Sequence, residues 1–303
     1  MTIFRKIAFI ALTGLALTAC ASQGGGKDVK FDDNLVVFIS DLHTKPDSFQ
    51  PEKLRKVISD ILAMDPLPRN VIALGDLAYL TGQASEYAFL KPLLEPIEDA
   101  GITLTLAMGN HDRRKEFGEA FPSHAAKSIF KDRYVYIVNT PYADFIILDS
   151  LQEGENRNGW ITEGELNDEQ RNWLEQTLDA YTKPVFVCAH HGLNETLVGD
   201  MIASSPTCRG YIYGHYHRWR KDWIESWSRE IHIVRTLGLP STGHWGDIGY
   251  VCVQIDPEKA VATLHEDEFF FPVPAENPDD APASWKVFPE ELDGNTCTFM
   301  LSD

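Results

Sequence analysis

Five apolar runs in this chain stop abruptly at side chains that can bind a cation or move a proton, and that pattern sharply narrows what the chain can fold into. Val36-Val37-Phe38-Ile39-Ser40 runs into Asp41-Leu42-His43, and Val71-Ile72-Ala73-Leu74 into Gly75-Asp76. Thr103 to Met108 ends in Gly109-Asn110-His111-Asp112, Val185 to Ala189 in His190-His191, and Tyr211-Ile212-Tyr213 in Gly214-His215-Tyr216-His217. Short apolar runs closed by polar turns read as buried strands, and strands of an open α/β sheet present their chemistry at their carboxyl ends. Of the 10 histidines, His43, His111, His190, His191, His215 and His217 lie in these endings, so the strands are expected to share one rim.

Helical periodicity separates the first runs. Leu54, Val57, Ile58, Ile61 and Leu62 fall on one face after Pro51, and Tyr87, Leu90, Leu94 and Ile97 share a face between Glu86 and Glu98, where Pro92 and Pro96 are expected to kink or shorten the helix. Strand, helix, strand, helix, strand implies a mostly parallel sheet with helical crossovers. Tyr134 to Val138 and Asp144 to Leu148 read as two more strands, and Asn167 caps a helix carrying Trp173, Leu174, Leu178 and Tyr181. Glu230 to Thr236, Gly249 to Ile255 and Ala260 to His265 alternate and lie close together as antiparallel strands do, pointing to a second sheet. Residues 271–284 are rich in Pro, Asp and Ala without periodicity, and Trp285 to Phe299 is expected to pack back on the domain.

The chain has 303 residues, long enough for one large core, and no linker divides it. With 45 Asp plus Glu against 27 Lys plus Arg, its formal charge of −18 repels duplex nucleic acid. A carboxylate-lined site attracts phosphate only if it also holds something cationic, and metal ions meet that need. Arg5-Lys6, an apolar stretch and Leu17-Thr18-Ala19-Cys20 resemble a bacterial lipoprotein signal, so residues 1–19 read as a removed leader and Cys20 as the lipidated N-terminus. Residues 20–30 read as a glycine-rich tether, 31–268 as the main domain and 269–303 as a Pro-rich acidic arm. The expected location is the periplasmic or outer side of a membrane, reached through lipid alone. The other four cysteines form no C-x-x-C pair, which excludes a zinc ribbon, and Cys188 reads as a small core residue.

The ordered set Asp41-x-His43, Gly75-Asp76, Gly109-Asn110-His111-Asp112, His190 and Gly214-His215-x-His217 resembles the calcineurin-like metallophosphoesterase superfamily across residues 35–220. Gln170-x-x-Trp173-Leu174 and Leu237 to Gly243 are similar to segments of its soluble phosphodiesterase branch. The resemblance implies a four-layer α/β/β/α sandwich, two mixed sheets flanked by helices, with a dinuclear metal site at the carboxyl-terminal rim of the strands. It also implies a phosphoester hydrolase that uses a metal-bound hydroxide. Such chemistry needs charge neutralisation, a hydroxide near neutral pH and a stabilised leaving oxygen, which two metals about 3.5–4 Å apart supply. By resemblance Asp76 bridges two divalent or mixed-valence ions (Mn, Fe or Zn); Asp41, His43 and His217 complete one site, and Asn110, His190 and His215 the other. His111 faces the substrate with Asp112 orienting its ring, and Arg114 and His191 are candidate substrate contacts.

Several residues keep two readings. Gly75-Asp76-Leu77-Ala78-Tyr79 is similar to the purple acid phosphatase pattern, in which the tyrosine ligates iron; with His43 present, the preferred role for Tyr79 is to support the ligands from behind or to pack. Arg113 and Arg114 fit a solvated surface as well as a phosphate contact. His244, on a Gly-rich loop, is either a rim residue that touches substrate or, as such histidines more often are, surface decoration. Tyr216, Trp219, Trp223 and Trp227 fit a leaving-group pocket or core packing. For function, a phosphodiesterase leads, with a monoesterase of purple-phosphatase character or a non-catalytic metal-binding lipoprotein as alternatives. The partner expected is a small phosphoester.

Overall fold

The computed structural model describes residues 29–154, 161–225, 233–270 and 293–302. The leader, Cys20, nearly all of the tether, Trp227 and most of the C-terminal arm lie outside the described residues. Among those described, no helix is long and apolar enough to cross a membrane.

β1 (Phe31–Ile39), β2 (Leu67–Ala73) and β3 (Thr103–Leu106) pair in parallel, joined by α1 (Gln50–Leu62) and α2 (Ala84–Asp99). Pro51 starts α1 where a missing N–H costs nothing, and Leu54, Val57, Ile58 and Ile61 bury the expected face. α2 differs from expectation, because it runs unbroken through Pro92 and Pro96. Both prolines, and Ala88 one turn earlier, sit on the exposed face while Leu90, Leu93, Leu94 and Ile97 face the core. The carbonyls those prolines leave unpaired therefore lie on the solvent side.

Two short helices, α3 (Arg114–Ala120) and α4 (Pro122–Ala125), lead to β4 (Tyr136–Asn139) and β5 (Asp144–Ile147). Next come α5 (Asp168–Ala180), β6 (Val185–Ala189), α6 (Leu193–Thr196), α7 (Gly199–Ser204), β7 (Cys208–Tyr213), β8 (Arg220–Glu225) and β9 (Ile233–Gly238). The second sheet runs β4-β5-β6-β7-β9-β8. Gly249 to Ile255 and Ala260 to His265 are antiparallel neighbours as read, in β10 (Gly246–Ile255) and β11 (Lys259–Phe270), yet with β12 (Thr296–Met300) they extend the first sheet, whose order is β12-β11-β10-β1-β2-β3. In contrast β9, read as antiparallel beside them, pairs in parallel with β7 in the second sheet. β1 has β2 on one side only, and β10 takes its other edge with Val37 opposite Cys252.

Phe38 from the first sheet meets Phe145 of the second with ring centroids 5.5 Å apart, and Phe145 stacks on Phe186 at 5.1 Å. Phe299 of β12 closes this seam edge-on against Phe186. Truncating such a buried ring to Ala costs about 3–5 kcal/mol. The seam joins the inner faces of the two sheets, with Phe145 and Phe186 each the second residue of its strand. On the outer face of the second sheet, Leu174 and Leu178 of α5 join Val185, Val187 and Ile202 in a separate cluster, giving the helix, sheet, sheet, helix layering.

Candidate dinuclear metal centre

Asp41, His43, Asp76, His215 and His217 lie just past strand ends, all at positive φ, between 41° and 68°. Residues other than glycine rarely adopt this region, and in folded proteins such strain concentrates at functional sites. Here it accompanies the turns that bring these polar side chains into one cluster at the strand ends. The glycines beside them are required for space. A Cβ on Gly75 would lie 2.5 Å from His190 Nδ1, one on Gly109 2.2 Å from Asp76 Oδ1, and one on Gly214 2.1 Å from Ser40 Oγ.

Backbone carbonyls orient the rings. His43 Nδ1 lies 2.9 Å from Tyr79 O, His190 Nδ1 3.0 Å from Leu74 O, and His217 Nδ1 3.0 Å from Trp245 O. A carbonyl only accepts, so each Nδ1 carries a hydrogen and each Nε2 is left to face the carboxylates, where it shares a proton with them or, once deprotonated, can ligate a cation. His43 Nε2 is 3.3 Å and His190 Nε2 3.2 Å from Asp76 Oδ2, and His217 Nε2 is 3.1 Å from Asp41 Oδ1. Asn110 Oδ1 lies 3.2 Å from His190 Nε2. Asp76 Oδ2 thus sits between two groups of donors. Asp41 is fixed from behind by the Ser40 hydroxyl at 2.7 Å and the His215 N–H at 3.2 Å.

Burial alone would keep these carboxylates neutral, yet surrounding imidazoles hold both well below the usual range, His190 and His111 acting on Asp76, and His217 and His190 on Asp41. Burial likewise opposes charge on His190, but Asp76 and Asp41 push it up to about 10. Burial and the neighbouring His190 push His215 down to about 4. Carboxylates and imidazoles here compensate one another only through shared protons, a balance that a bound cation replaces. The donor set fits one: Asp41, His43 and His217 offer atoms within 4.8 Å of one another, and so do Asp41, Asp76 and His190. His43 Nε2 is buried without hydrogen-bond geometry to any described residue. Nitrogen and carboxylate donors of this kind suit Zn, Mn or Fe.

The remaining predicted residues separate. His111 lies half-buried at the edge of the cluster with Nδ1 2.6 Å from Leu80 O, and its backbone N–H donates to Asp76 Oδ1 at 2.9 Å. Asp112 does not orient that ring. Its carboxylate accepts from the N–H of Gly109 (2.8 Å), Leu77 (3.2 Å) and Ala78 (3.0 Å) and from the Tyr87 hydroxyl (3.0 Å), tying the β2 and β3 turns together. Burial and the nearby Asp76 push its pKa up to about 6. The Arg114 guanidinium turns away to a bidentate pair with Asp149 (2.8 and 2.7 Å) and a bond to Glu153 (3.0 Å). His191 is buried, Nδ1 2.8 Å from Ser150 Oγ and Nε2 3.1 Å from Thr162 O, which occupies both ring nitrogens. Tyr79 places its hydroxyl 2.8 Å from Lys45 Nζ.

His244, read more readily as surface decoration, stacks on the His43 ring at 4.2 Å and stands 5.6 Å from His217. Ser241 brings it there: its hydroxyl donates to Asp41 O at 3.0 Å and accepts the His244 N–H at 2.8 Å. The nearest signal in sequence was the Ser-Thr-Gly-His run, whose hydroxyls favour a tight turn without saying against what. Gln50 Nε2 lies 3.3 Å from His244 Nδ1, so Nδ1 accepts and the ring hydrogen sits on Nε2.

Two buried carboxylates ringed by inward-facing imidazoles, on glycine-spaced turns at facing sheet ends, define a metal-centre architecture. The chain belongs to the calcineurin-like phosphoesterase family, whose sequence model matches residues 35–219. It is 27% identical over 126 residues to a protein of Psychrobacter arcticus described as a probable cyclic nucleotide phosphodiesterase; the match covers 38% of this chain and spans only 42% of that relative. In fold it is similar to a dimetal phosphatase from Danio rerio (TM-score 0.63, 13% identity, 88% of this chain and 99% of the other). It is likewise similar to PhoD (TM-score 0.58, 13% identity, 79% and 67%).

Proposed function

We propose that this protein is a metal-dependent phosphoester hydrolase whose substrates are diesters. The observation that carries the reading is the position of Asp76 Oδ2, with His43 on one side at 3.3 Å and His190 on the other at 3.2 Å. Asp41, His43 and His217 would hold one ion and Asn110, His190 and His215 the other, with the Asp76 carboxylate lying between the two groups. Bound there, Mn, Fe or Zn ions supply Lewis acidity toward phosphoryl oxygens and a nucleophile at neutral pH. His111 faces the leaving oxygen. Because its Nδ1 hydrogen is committed to Leu80 O, donation from Nε2 requires the imidazolium form. His244 presents Nε2–H without that requirement and contributes a hydrogen bond to the anion.

The diester preference is supported by the likeness to the soluble phosphodiesterase branch and by the description of the Psychrobacter relative. A purple-phosphatase monoesterase is disfavoured by Tyr79, whose hydroxyl is engaged by Lys45 rather than turned to the ligand cluster. Turnover of bis(nitrophenyl) phosphate against nitrophenyl phosphate, with metal content measured alongside, tests the reading. Faster turnover of the diester with two ions bound is expected; a faster monoester reaction overturns it. The setting proposed is an exported lipoprotein anchored through Cys20, acting on small phosphoesters rather than duplex nucleic acid. Cys20→Ser should release the chain from membranes with catalysis intact, and a wild type already soluble after export refutes the anchor.

A further inference from the structure

A cavity of about 400 Å³ opens beside the second metal group, lined by Gly192, Asn194, Tyr213, Tyr216, Arg220 and Asp222, among others. Its walls continue from ligand residues. Gly192 follows the His190-His191 pair, and the Tyr216 ring packs edgewise on His215 with centroids 5.0 Å apart. Tyr216 is held in place, since its hydroxyl donates to Glu195 Oε1 at 3.0 Å while Glu195 Oε2 accepts the Gly164 N–H at 2.9 Å. A Cβ on Gly192 would lie 3.2 Å from Tyr216 Cε2, so the glycine keeps the chain clear of the ring. Tyr213 and Tyr216 stand nearly perpendicular, 6.0 Å apart, leaving 40% of Tyr216 open to solvent.

We infer that this cavity is a nucleobase pocket, which places the base of a nucleotide diester next to the phosphate at the metal centre; the inference rests on the function proposed above. The volume falls in the range of small-molecule sites. An exposed aromatic face offers stacking to a planar ring, the Asn194 amide offers a donor and an acceptor, and the Asp222 carboxylate, beside its Arg220 partner, offers an acceptor to a base edge. Arg220 pairs with Asp222, so the pocket carries little net charge and is not a second phosphate site. The phosphate belongs to the metals and the base to the tyrosines.

The test uses the metal-loaded full chain. Adenosine, which has no phosphate, and free ribose are titrated calorimetrically, and kcat/KM is measured for cyclic AMP and for methyl nitrophenyl phosphate. Adenosine is expected to bind and ribose not. Tyr216→Ala and the surface variant Asp222→Ala should each lower the cyclic AMP to small-ester ratio of kcat/KM by about tenfold, mainly through KM. Absence of adenosine binding, equal binding of ribose, or an unchanged ratio in both variants overturns the pocket. A wild type inactive on every diester overturns the function proposed above, and the adenosine titration still decides the pocket.

Discussion

Two regions of this molecule bury carboxylates completely, and they do so in opposite ways. Asp149 is fully buried but lies against the Arg114 guanidinium, and its oxygens also accept the N–H of Tyr134 and Leu151. Asp41 and Asp76 are equally buried, yet no Lys or Arg side chain pairs with them among the described residues, only imidazoles. The first region contains its own counter-cation and is closed, whereas the second is complete only when protons or metal ions enter. A buried charge with a built-in partner holds a fold together; one without a fixed partner is poised for a ligand.

The largest effect should come from the open region. Asp76→Asn is expected to abolish diester hydrolysis and lower bound metal toward one ion per chain, because a neutral amide bridges two cations poorly. Full activity with both ions retained would erase the contrast between the regions. At the rim, His111→Asn should keep both ions, since Asn110 and the other residues proposed to hold them are untouched. Its activity should fall by about 10²–10⁴ on an alkyl ester but far less on a nitrophenyl ester, whose leaving group needs no proton. Equal losses on both would reassign the residue to substrate placement.

In the closed region, Arg114→Met strands Asp149 and should lower stability by about 3–5 kcal/mol in denaturant unfolding while metal content stays unchanged. A large rise in KM without loss of stability would instead restore Arg114 as a phosphate contact. Smallest of all, Tyr79→Phe removes only the bond to Lys45 and should alter stability by about 0.5 kcal/mol or less. No visible absorption band should exist for it to abolish; a band lost in that variant would move the chain toward the purple phosphatases.

The same contrast explains what could be read in the sequence. Apolar runs closed by Asp, His or Asn marked the metal rim because strand burial and ligand placement are both local facts. Yet Phe145-Ile146-Ile147-Leu148 also closes on an aspartate, Asp149, with the same signature and a different role. What separates it from Asp76 is an arginine 35 positions upstream, and such pairing is set by tertiary packing. Arg114 and His191 were read as substrate contacts because they neighbour ligand motifs, but adjacency along the chain does not say which way a side chain turns. His244 stayed undecided between rim and surface for the converse reason: its loop reaches His43 across some 200 residues of chain. Of the late strands, β10 and β11 were legible as antiparallel neighbours, while the sheet they joined depended on which edge of β1 stood free, and β9 was misgrouped because its parallel partner β7 precedes it by a crossover.

The carbonyls of Leu74, Tyr79 and Trp245 hold the rings of His190, His43 and His217. Every amino acid carries that same oxygen, so substitution at those three positions leaves the acceptor in place as long as the turn keeps its path. Aim is thereby stored in the course of the main chain and insulated from side-chain mutation. Tyr79 or Trp245 can be exchanged to suit a new substrate while the imidazoles keep pointing where they did. The turn glycines carry no donor to the centre, yet they are the positions where change should be tolerated least.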